Sequence, residues 1–404
     1  MKKKSVVILG AGPEQIDSYK IAKKNFLHIF GVDKNINSEG LNLADTKIIS
    51  SIYDYRKILK IISLSINKYK ILGIVSVGVD CPKTVYEISK YLKLDIIKTK
   101  TIKIIENKEK LYNALEPNGI IPKFEILSNK SKVNNIVDKF NLPLIVKPHI
   151  GRGSRDVMII KRINDLKKFI KFQKKKIMKK FIIQKYVKGR QFSVENFFYK
   201  KKFLCLISLR NYRNSRKYHP NIIENGGDLN PNIPSVLKKK IYEFTKTLSE
   251  DLEIENGPLK LDLIYSKGKI FLIEAAVRFG GGFVASKCSK SLTGINFLNA
   301  YFDYFLKRKI LFPKKNLKMK SISISTRAIV PKKNGIIKNI KNNISSKYKK
   351  NLIHISYNKF IGDKIERPTS HAERAAFIIV QSNKKFVAPN LADKISKKII
   401  FEIY

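Results

Sequence analysis

Short apolar runs alternate with amphipathic segments along the N-terminal part of the chain. Val6–Leu9 and Gly73–Val77 have the length and composition of buried strands, whereas Tyr55–Ile66 and Pro82–Tyr91 have the spacing of helices that bury one face. Buried strands that alternate with helices are typical of a parallel sheet covered on both faces. The pattern predicts a doubly wound α/β domain over residues 1–107.

The pattern changes after residue 107, where polar and apolar positions begin to alternate. Alternation of this kind predicts antiparallel strands with one buried face, at Phe181–Gln184, Gln191–Phe198, Lys202–Leu209, Leu259–Ile264 and Lys269–Ala275. Helical segments are predicted between these strands. A small β-rich domain over residues 311–404 is predicted from three further runs, Ser321–Val330, Leu352–Tyr357 and Ala375–Val380.

One long polar segment, Arg210–Pro234, interrupts these strands. It contains two adjacent glycines, Gly226 and Gly227, and several prolines, which favour turns over regular structure. A structureless loop of this length in a compact domain usually has a function. We expect it to help choose the substrates through its charged side chains, among them Arg210, Arg213, Arg216 and Glu224.

The net charge of +50 does not by itself indicate a nucleic-acid partner. Lysines lie along the whole chain, whereas a nucleic-acid site more often combines arginine and aromatic residues in one patch. We interpret the charge as solvated surface that also helps to gather anionic substrates. No nucleic-acid partner is expected.

Cysteine usage and hydropathy favour a cytoplasmic protein. Cys81, Cys205 and Cys288 lie far apart and form no paired motif, so a reducing compartment fits better than a disulfide framework. No stretch approaches the roughly 20 apolar residues of a membrane helix, and no membrane association is expected. The five histidines have no zinc-ligand spacing.

The first candidate site is a glycine turn after the first predicted strand. Gly10 and Gly12, with Asp33 at the end of the next strand, nearly match a dinucleotide-binding fingerprint. Gln15 occupies the position of the third glycine. The turn is therefore either a plain tight turn or the cofactor site of an NAD-linked oxidoreductase.

The second candidate is a glycine-rich stretch that follows Lys147. Gly151 and Gly153 allow backbone N–H groups to close around phosphate oxygens, and Ser154 adds a hydroxyl donor. Lys147 supplies a positive charge at the end of the preceding strand. An ordinary hairpin turn is the alternative interpretation.

The third candidate combines Asp262, Glu274 and Arg278. Magnesium bound to nucleotide phosphates takes one or two carboxylates, and the planar fork of arginine can hold transferring oxygens. The alternative is a surface salt bridge. Glu274 argues against it, because it lies in an otherwise apolar strand where a carboxylate needs a partner.

Together these elements resemble the ATP-grasp superfamily, in its carboxylate–amine or L-amino-acid ligase branch with a biotin-carboxylase-like domain layout. The resemblance covers nearly the whole chain and implies an ATP-grasp fold of two α+β lobes over residues 108–307. The first domain is similar to the preceding α/β domain of that superfamily in four motifs, Leu9–Gly12, Gly31–Asp33, Leu43–Asp45 and Asn107–Lys108.

The resemblance implies ATP and magnesium as cofactors, with manganese as an alternative metal, and it implies a role for each matching residue. Lys108 and Lys147 would contact the phosphates of ATP. The lid would comprise Gly151, Arg152, Gly153 and Ser154. The hinge would comprise Gln184, Lys185, Tyr186 and Val187, with the backbone of Lys185 and Val187 on adenine and Gln191 on ribose. Asp262 and Glu274 would bind the metal, and Arg278 would face the reacting phosphoryl group.

Four positions depart from the usual superfamily pattern. Asp156 replaces a lid glycine, Gln184 and Gln191 stand where glutamates are common, and Ala276 replaces a frequent asparagine metal ligand. The resulting Glu-Ala-Ala-x-Arg motif looks closer to the amino-acid-ligase branch. No biotinyl-lysine motif is visible, which makes carboxylation of a carrier less favoured.

We therefore expect an ADP-forming ligase that activates a small-molecule carboxylate as an acyl phosphate for attack by an amine. A bicarbonate-activating enzyme of the carboxylase or carbamoyl-phosphate type is a second hypothesis. An NAD-linked oxidoreductase and a non-catalytic nucleic-acid binder are weaker alternatives. A homodimer is compatible with the sequence.

Overall fold

The computed structural model describes residues 2–94, 98–127, 131–151, 153–175, 180–212, 215–310, 312 and 322–404. Within these ranges, no helix is long and apolar enough to cross a membrane. The described residues form four sheets, one parallel and three antiparallel.

The N-terminal part is a four-stranded parallel sheet with strand order β3-β2-β1-β4. Alternate residues of its first strand point to opposite faces, so Val6 packs towards one hydrophobic cluster and Val7 towards another. This confirms the predicted doubly wound sheet. Its elements are β1 (Lys3–Leu9), α1 (Ile16–Lys24), β2 (His28–Asp33), β3 (Thr46–Ile49), α2 (Tyr55–Ser65), β4 (Tyr69–Ser76) and α3 (Pro82–Leu92).

The next lobe has a four-stranded antiparallel sheet with strand order β5-β8-β6-β7. Helices α6 and α7 pack on this sheet through Ile136, Phe140, Leu166 and Phe169. The elements are α4 (Thr99–Ile105), α5 (Lys108–Leu115), β5 (Phe124–Leu127), α6 (Val133–Phe140), β6 (Leu144–Pro148), β7 (Met158–Ile160), α7 (Ile163–Lys175) and β8 (Phe181–Lys185).

The second lobe and the C-terminal region share one eight-stranded sheet with strand order β13-β12-β9-β10-β11-β14-β18-β16. The elements of the lobe are β9 (Arg190–Tyr199), β10 (Lys202–Arg210), β11 (Gly227–Leu229), α8 (Ser235–Asp251), β12 (Gly257–Ser266), β13 (Lys269–Ala276), α9 (Ser289–Thr293) and α10 (Phe297–Phe305). Those of the C-terminal region are β14 (Ser323–Ile329), β15 (Gly335–Asn342), α11 (Ser346–Lys349), β16 (Leu352–Tyr357), β17 (Lys364–Ile365), β18 (Ala376–Ser382), α12 (Ala388–Ser396) and β19 (Ile399–Ile403).

The segment predicted as one long loop contains strand β11, which joins β10 to β14. The backbone at Gly226 passes close to β14. A Cβ on Gly226 would lie 2.1 Å from the carbonyl oxygen of Thr326. The φ of Gly226 is +117°, a conformation that favours glycine. A three-residue strand is too short to show a period of two, so the sequence pattern missed it.

Helix α10 packs against the N-terminal sheet at a position where only glycine fits. A Cβ on Gly73 of β4 would lie 2.4 Å from the ring of Phe305 in α10. We expect Gly73→Ala to lower the free energy of unfolding by about 1–3 kcal/mol, because the added methyl overpacks this contact. Urea denaturation of the purified variant measures the change.

A double-mutant cycle supplies the control. Phe305→Leu removes ring atoms that the new methyl would meet, so Gly73→Ala should cost less in that background than in the wild type. Equal costs in both backgrounds would show that the two elements do not pack as described.

Candidate functional site

Two carboxylates stand side by side on neighbouring strands. Asp262 of β12 and Glu274 of β13 are directly opposite in the antiparallel register. Residues paired in this way point to the same face of a sheet, with Cβ atoms about 5 Å apart. The structure therefore brings together the two predicted metal ligands.

Three basic side chains surround these carboxylates. Arg210 Nη2 donates to Asp262 Oδ1 at 2.7 Å and Lys260 Nζ donates to Oδ2 at 2.5 Å. Lys108 Nζ donates to Glu274 Oε1 at 2.8 Å. Burial by itself would raise the pKa of both carboxyls, but the adjacent cations outweigh it and the pKa of each is lowered. Both groups are therefore ionised at neutral pH.

The donor set fits a magnesium ion that arrives with a nucleotide. Two ionised carboxylates are the usual protein contribution to such an ion, and phosphate oxygens and water complete the shell. Among the described residues, no cluster of three or more histidine, cysteine or acidic side chains could hold a metal alone. Asp262 and Glu274 would hold the metal, which would neutralise charge on the phosphates.

Lys108 and Lys147, predicted on different elements, lie in one place. Lys108 begins α5, and its Nζ donates to the carbonyl oxygen of Gly151 at 3.0 Å. The side chain of Lys147 is buried, and its Nζ donates to the Tyr112 hydroxyl at 2.5 Å. Burial and the nearby positive charge of Lys108 lower the pKa of Lys147 to about 7. A bound phosphate would favour its charged form.

The glycine-rich stretch connects the antiparallel strands β6 and β7, so it is a hairpin connection as well as a candidate phosphate loop. Gly153 and Ser154 both have left-handed backbones, with φ of +57° and +58°. The Ser154 hydroxyl lies 3.1 Å from Nε2 of His371, a contact that the sequence did not predict. Arg152 lies outside the described residues.

The predicted hinge begins with the last two residues of β8, Gln184 and Lys185, and continues through Tyr186 and Val187. Gln184 is buried, and its amide oxygen has no hydrogen-bond partner within the described ranges. An unpaired buried acceptor of this kind suits the exocyclic amine of adenine. The N–H of Lys185 donates to the carbonyl oxygen of Lys123. Val187 lies in the turn that leads to β9, and Gln191 lies on β9 opposite Ile264.

Arg278 lies where the N-terminal domain meets the second lobe. Its Nη1 donates to the carbonyl oxygen of Phe279 at 3.1 Å, and its Nε lies 3.6 Å from a carboxylate oxygen of Asp80. Asp80 follows β4 of the parallel sheet. The arginine is thus held at the domain boundary, and its Nε has no hydrogen-bond partner among the described residues.

Sequence reasoning missed several members of the site. Lys260 is two residues before Asp262, so the strand period of two places both on one face. Tyr112 is one helical turn after Lys108 in α5, so the helical period places both side chains on one face of the helix. His371 gives no comparable signal, because it reaches the site from a distant part of the chain.

The glycine turn near the N-terminus satisfies its own polar groups. Ala11 N–H donates to Asp33 Oδ2 at 2.9 Å and Gly12 N–H donates to Gln15 Oε1 at 2.9 Å. Gln15 Nε2 donates in turn to the Val77 carbonyl oxygen. A dinucleotide would need these backbone N–H groups and the Asp33 carboxylate. In the structure they are already hydrogen-bonded to each other and to Gln15. The geometry favours a structural turn over an NAD site.

The sequence matches a family model described as an ATP-grasp domain over residues 105–282. The chain therefore contains an ATP-grasp domain over these residues. The matched residues include the glycine-rich stretch, both carboxylates and Arg278. No curated protein sequence matches the chain.

Solved structures of ATP-grasp proteins have the same fold over the whole chain. L-amino acid ligase from Bacillus licheniformis is 15% identical, with a TM-score of 0.81, and the match covers 100% of this chain and 99% of that one. Phosphoribosylglycinamide synthetase from Anaerococcus prevotii is 18% identical, with a TM-score of 0.75 and full coverage of both chains.

A third similar structure is the biotin carboxylase domain of 2-oxoglutarate carboxylase from Hydrogenobacter thermophilus, in complex with MgADP, ADP and bicarbonate. It is 11% identical, with a TM-score of 0.75, and the match covers 100% of this chain and 91% of that one. The ATP-grasp fold is thus confirmed, together with the predicted layout of mixed α/β units.

Lys147 provides a test of the site that needs no substrate. Its pKa is about 7 in the folded protein, against about 10.4 for an unperturbed lysine. Burying the charged lysine therefore lowers the free energy of unfolding. This loss of stability is fully present below pH 7 and disappears as pH rises towards 10. Lys147→Met should therefore raise the free energy of unfolding most at pH 6 and least at pH 10.

Urea denaturation at pH 6, 8 and 10 measures this difference, with Lys246→Met on an exposed face of α8 as the control. The control should change stability by the same small amount at each pH. A flat profile for Lys147→Met as well would show that the side chain is not buried as described.

Proposed function

We propose that this protein is an ATP- and magnesium-dependent ligase that joins a carboxylate to an amine and releases ADP and phosphate. The observation that supports this most directly is the Asp262–Glu274 pair, which lies beside Lys108 and next to a glycine-rich stretch. Carboxylates for a metal, cations for phosphates and flexible backbone N–H groups are the components that phosphoryl transfer requires.

The proposed reaction assigns a role to each group. Lys108 and Lys147 would hold the phosphates, with the backbone of Gly151–Ser154 closing over them. The substrate carboxylate would attack the γ-phosphorus, and Arg278 would stabilise the charge on the transferring oxygens. An amine would then displace phosphate from the acyl phosphate. Positioning and charge neutralisation are the main contributions of the protein.

Asp262 serves two sets of cations in this scheme. Its two carboxylate oxygens accept hydrogen bonds from Arg210 and Lys260 in the structure. A metal would compete for the same oxygens. Release of Arg210 would leave its guanidinium available to an anionic substrate. Such an exchange keeps the interior charge balanced as Mg·ATP enters, which is needed because an unpaired buried charge is costly.

Activation of bicarbonate is the second candidate function. The similar carboxylase domain is named in complex with MgADP and bicarbonate. The same cations and carboxylates would suit that reaction, which also transfers the γ-phosphate to a carboxylate-like oxygen. The Glu-Ala-Ala-x-Arg motif and the missing biotinyl-lysine motif lead us to prefer the amide product.

Several assignments belong to the proposal as well. We propose the division into residues 1–107, 108–307 and 311–404, although one sheet runs through the last two. We also propose a cytoplasmic location and small-molecule carboxylate and amine substrates, with a homodimer as one assembly.

Glu274→Gln should abolish turnover while leaving the fold intact. The substitution keeps the shape of the side chain and deletes the negative charge that would hold the metal at the developing phosphoryl charge. Phosphate release with ATP, magnesium and a panel of paired carboxylates and amines measures the effect. We expect a decrease of at least about a hundredfold, the usual scale for removing one such electrostatic contact.

The matched control is Glu243→Gln on the exposed face of α8, which should keep wild-type activity. A folded Glu274→Gln variant with near wild-type turnover would show that the metal assignment is wrong.

Trapping with hydroxylamine should separate the amide ligase from the alternatives. An acyl phosphate is electrophilic, so hydroxylamine should convert it to the hydroxamate of the true carboxylate substrate. ADP and phosphate should appear in equal amounts, because the γ-phosphate is the group transferred. Mass spectrometry and nucleotide chromatography measure these products.

Other products would contradict this assignment. AMP with pyrophosphate would mean adenylate chemistry rather than transfer of the γ-phosphate. Turnover that needs bicarbonate and no organic carboxylate would instead favour the carboxylase or carbamoyl-phosphate hypothesis.

A further inference from the structure

Three distant segments of the chain meet at the imidazole of His371. Its backbone N–H donates to the carbonyl oxygen of Gly153 at 2.9 Å, and its ring Nε2 lies 3.1 Å from the Ser154 hydroxyl. The same Nε2 lies 3.2 Å from the backbone N of Glu224. One side chain from the C-terminal region therefore contacts both the glycine-rich stretch and the segment that precedes β11.

The contact with Glu224 determines the protonation state of the ring. A backbone N–H can only donate, so Nε2 must accept and the ring proton must lie on Nδ1. The Ser154 hydroxyl, which can rotate, then shares the single lone pair of this nitrogen with the Glu224 N–H. Burial and the nearby Arg374 and Arg210 hold the pKa of His371 well below its usual range, which agrees with a neutral ring.

His371 is anchored to the large sheet independently of both loops. Residues 371–373 form a short 3-10 helix just before β18. The N–H of Ala375 donates to the carbonyl oxygen of Ile329 at the end of β14. The imidazole thus has a rigid base, whereas the segments on either side of it are connections between strands.

Glu224 links His371 to the carboxylate pair through Arg210. Its side chain accepts a hydrogen bond from Arg210, and Arg210 also donates to Asp262. A continuous set of contacts thus runs from Ser154 through His371, Glu224 and Arg210 to Asp262. It joins the proposed phosphate loop to the proposed metal site.

We propose that His371 is a positioning residue that couples the glycine-rich stretch to residues 215–226, which precede β11. Nucleotide binding that fixes Ser154 fixes the ring, and the ring fixes Glu224 and the charged residues beyond it. The inference rests on the proposed function in one respect, because it takes the glycine-rich stretch to be where nucleotide binds. Its effect is that residues 215–226 become ordered when ATP is present.

Limited trypsin digestion tests the coupling at two exposed sites, Arg155 beside the glycine-rich stretch and Lys217 within residues 215–226. Peptide mass spectrometry measures the rate of cleavage after each residue, with and without saturating Mg·ATP. In the wild type, Mg·ATP should slow both cleavages by about tenfold or more, because ligand binding stabilises the closed state. In His371→Ala, only cleavage after Arg155 should slow.

Two further variants separate positioning from general stability. His371→Gln should restore protection of Lys217, because a glutamine side-chain oxygen can reach the position of Nε2. His371→Asn has a similar amide that ends one bond short, and it should not. If His371→Ala does not fold, this pair gives the same comparison. His354→Ala removes another C-terminal imidazole, which packs on Phe283, and should behave as the wild type.

The outcomes distinguish the inference from the proposed function. Protection of neither site in the wild type would contradict both, because nucleotide would not close the glycine-rich stretch. Protection of Arg155 alone in the wild type would overturn the coupling and leave the proposed function standing. Protection of both sites in His371→Ala would show that the coupling does not pass through His371.

Discussion

The need to balance buried charge governs the central part of this protein. Asp262 and Glu274 face the same side of one sheet, where two ionised carboxylates would repel each other without nearby cations. Arg210, Lys260 and Lys108 supply that compensation, each from a different element of the fold. The position of the lobes relative to each other is therefore tied to this charge arrangement.

The N-terminal domain contributes two acidic side chains to the region around Arg278. Asp80, in the segment between β4 and α3, contacts Arg278, and Glu14 accepts a hydrogen bond from Gly282 N–H at 2.6 Å. The glycines after Arg278 are needed here, because a Cβ on Gly281 would lie 2.6 Å from a Glu14 oxygen. The parallel sheet thus holds the arginine that we assign to the phosphoryl group.

Local pattern was sufficient for most elements and for part of the site. The parallel strands and the β12–β13 hairpin have clear periodicity, and the hairpin places Asp262 opposite Glu274. Strand β11 escaped detection because its pairing with β14 depends on residues about a hundred positions away. The role of His371 was hidden for the same reason. Contacts between distant segments depend on how the lobes pack, which no local period encodes.

The shared eight-stranded sheet has a consequence for how the chain can be divided. Strand β11 lies between β10 and β14, so the C-terminal region completes the hydrogen-bonded ladder of the second lobe. A fragment that ended after α10 would leave the backbone N–H and C=O groups of β11 unpaired along an open edge. Open edges of this kind template pairing with other chains. A fragment limited to the ATP-grasp domain is therefore a poor candidate for separate expression, and self-association through this edge is its expected fate.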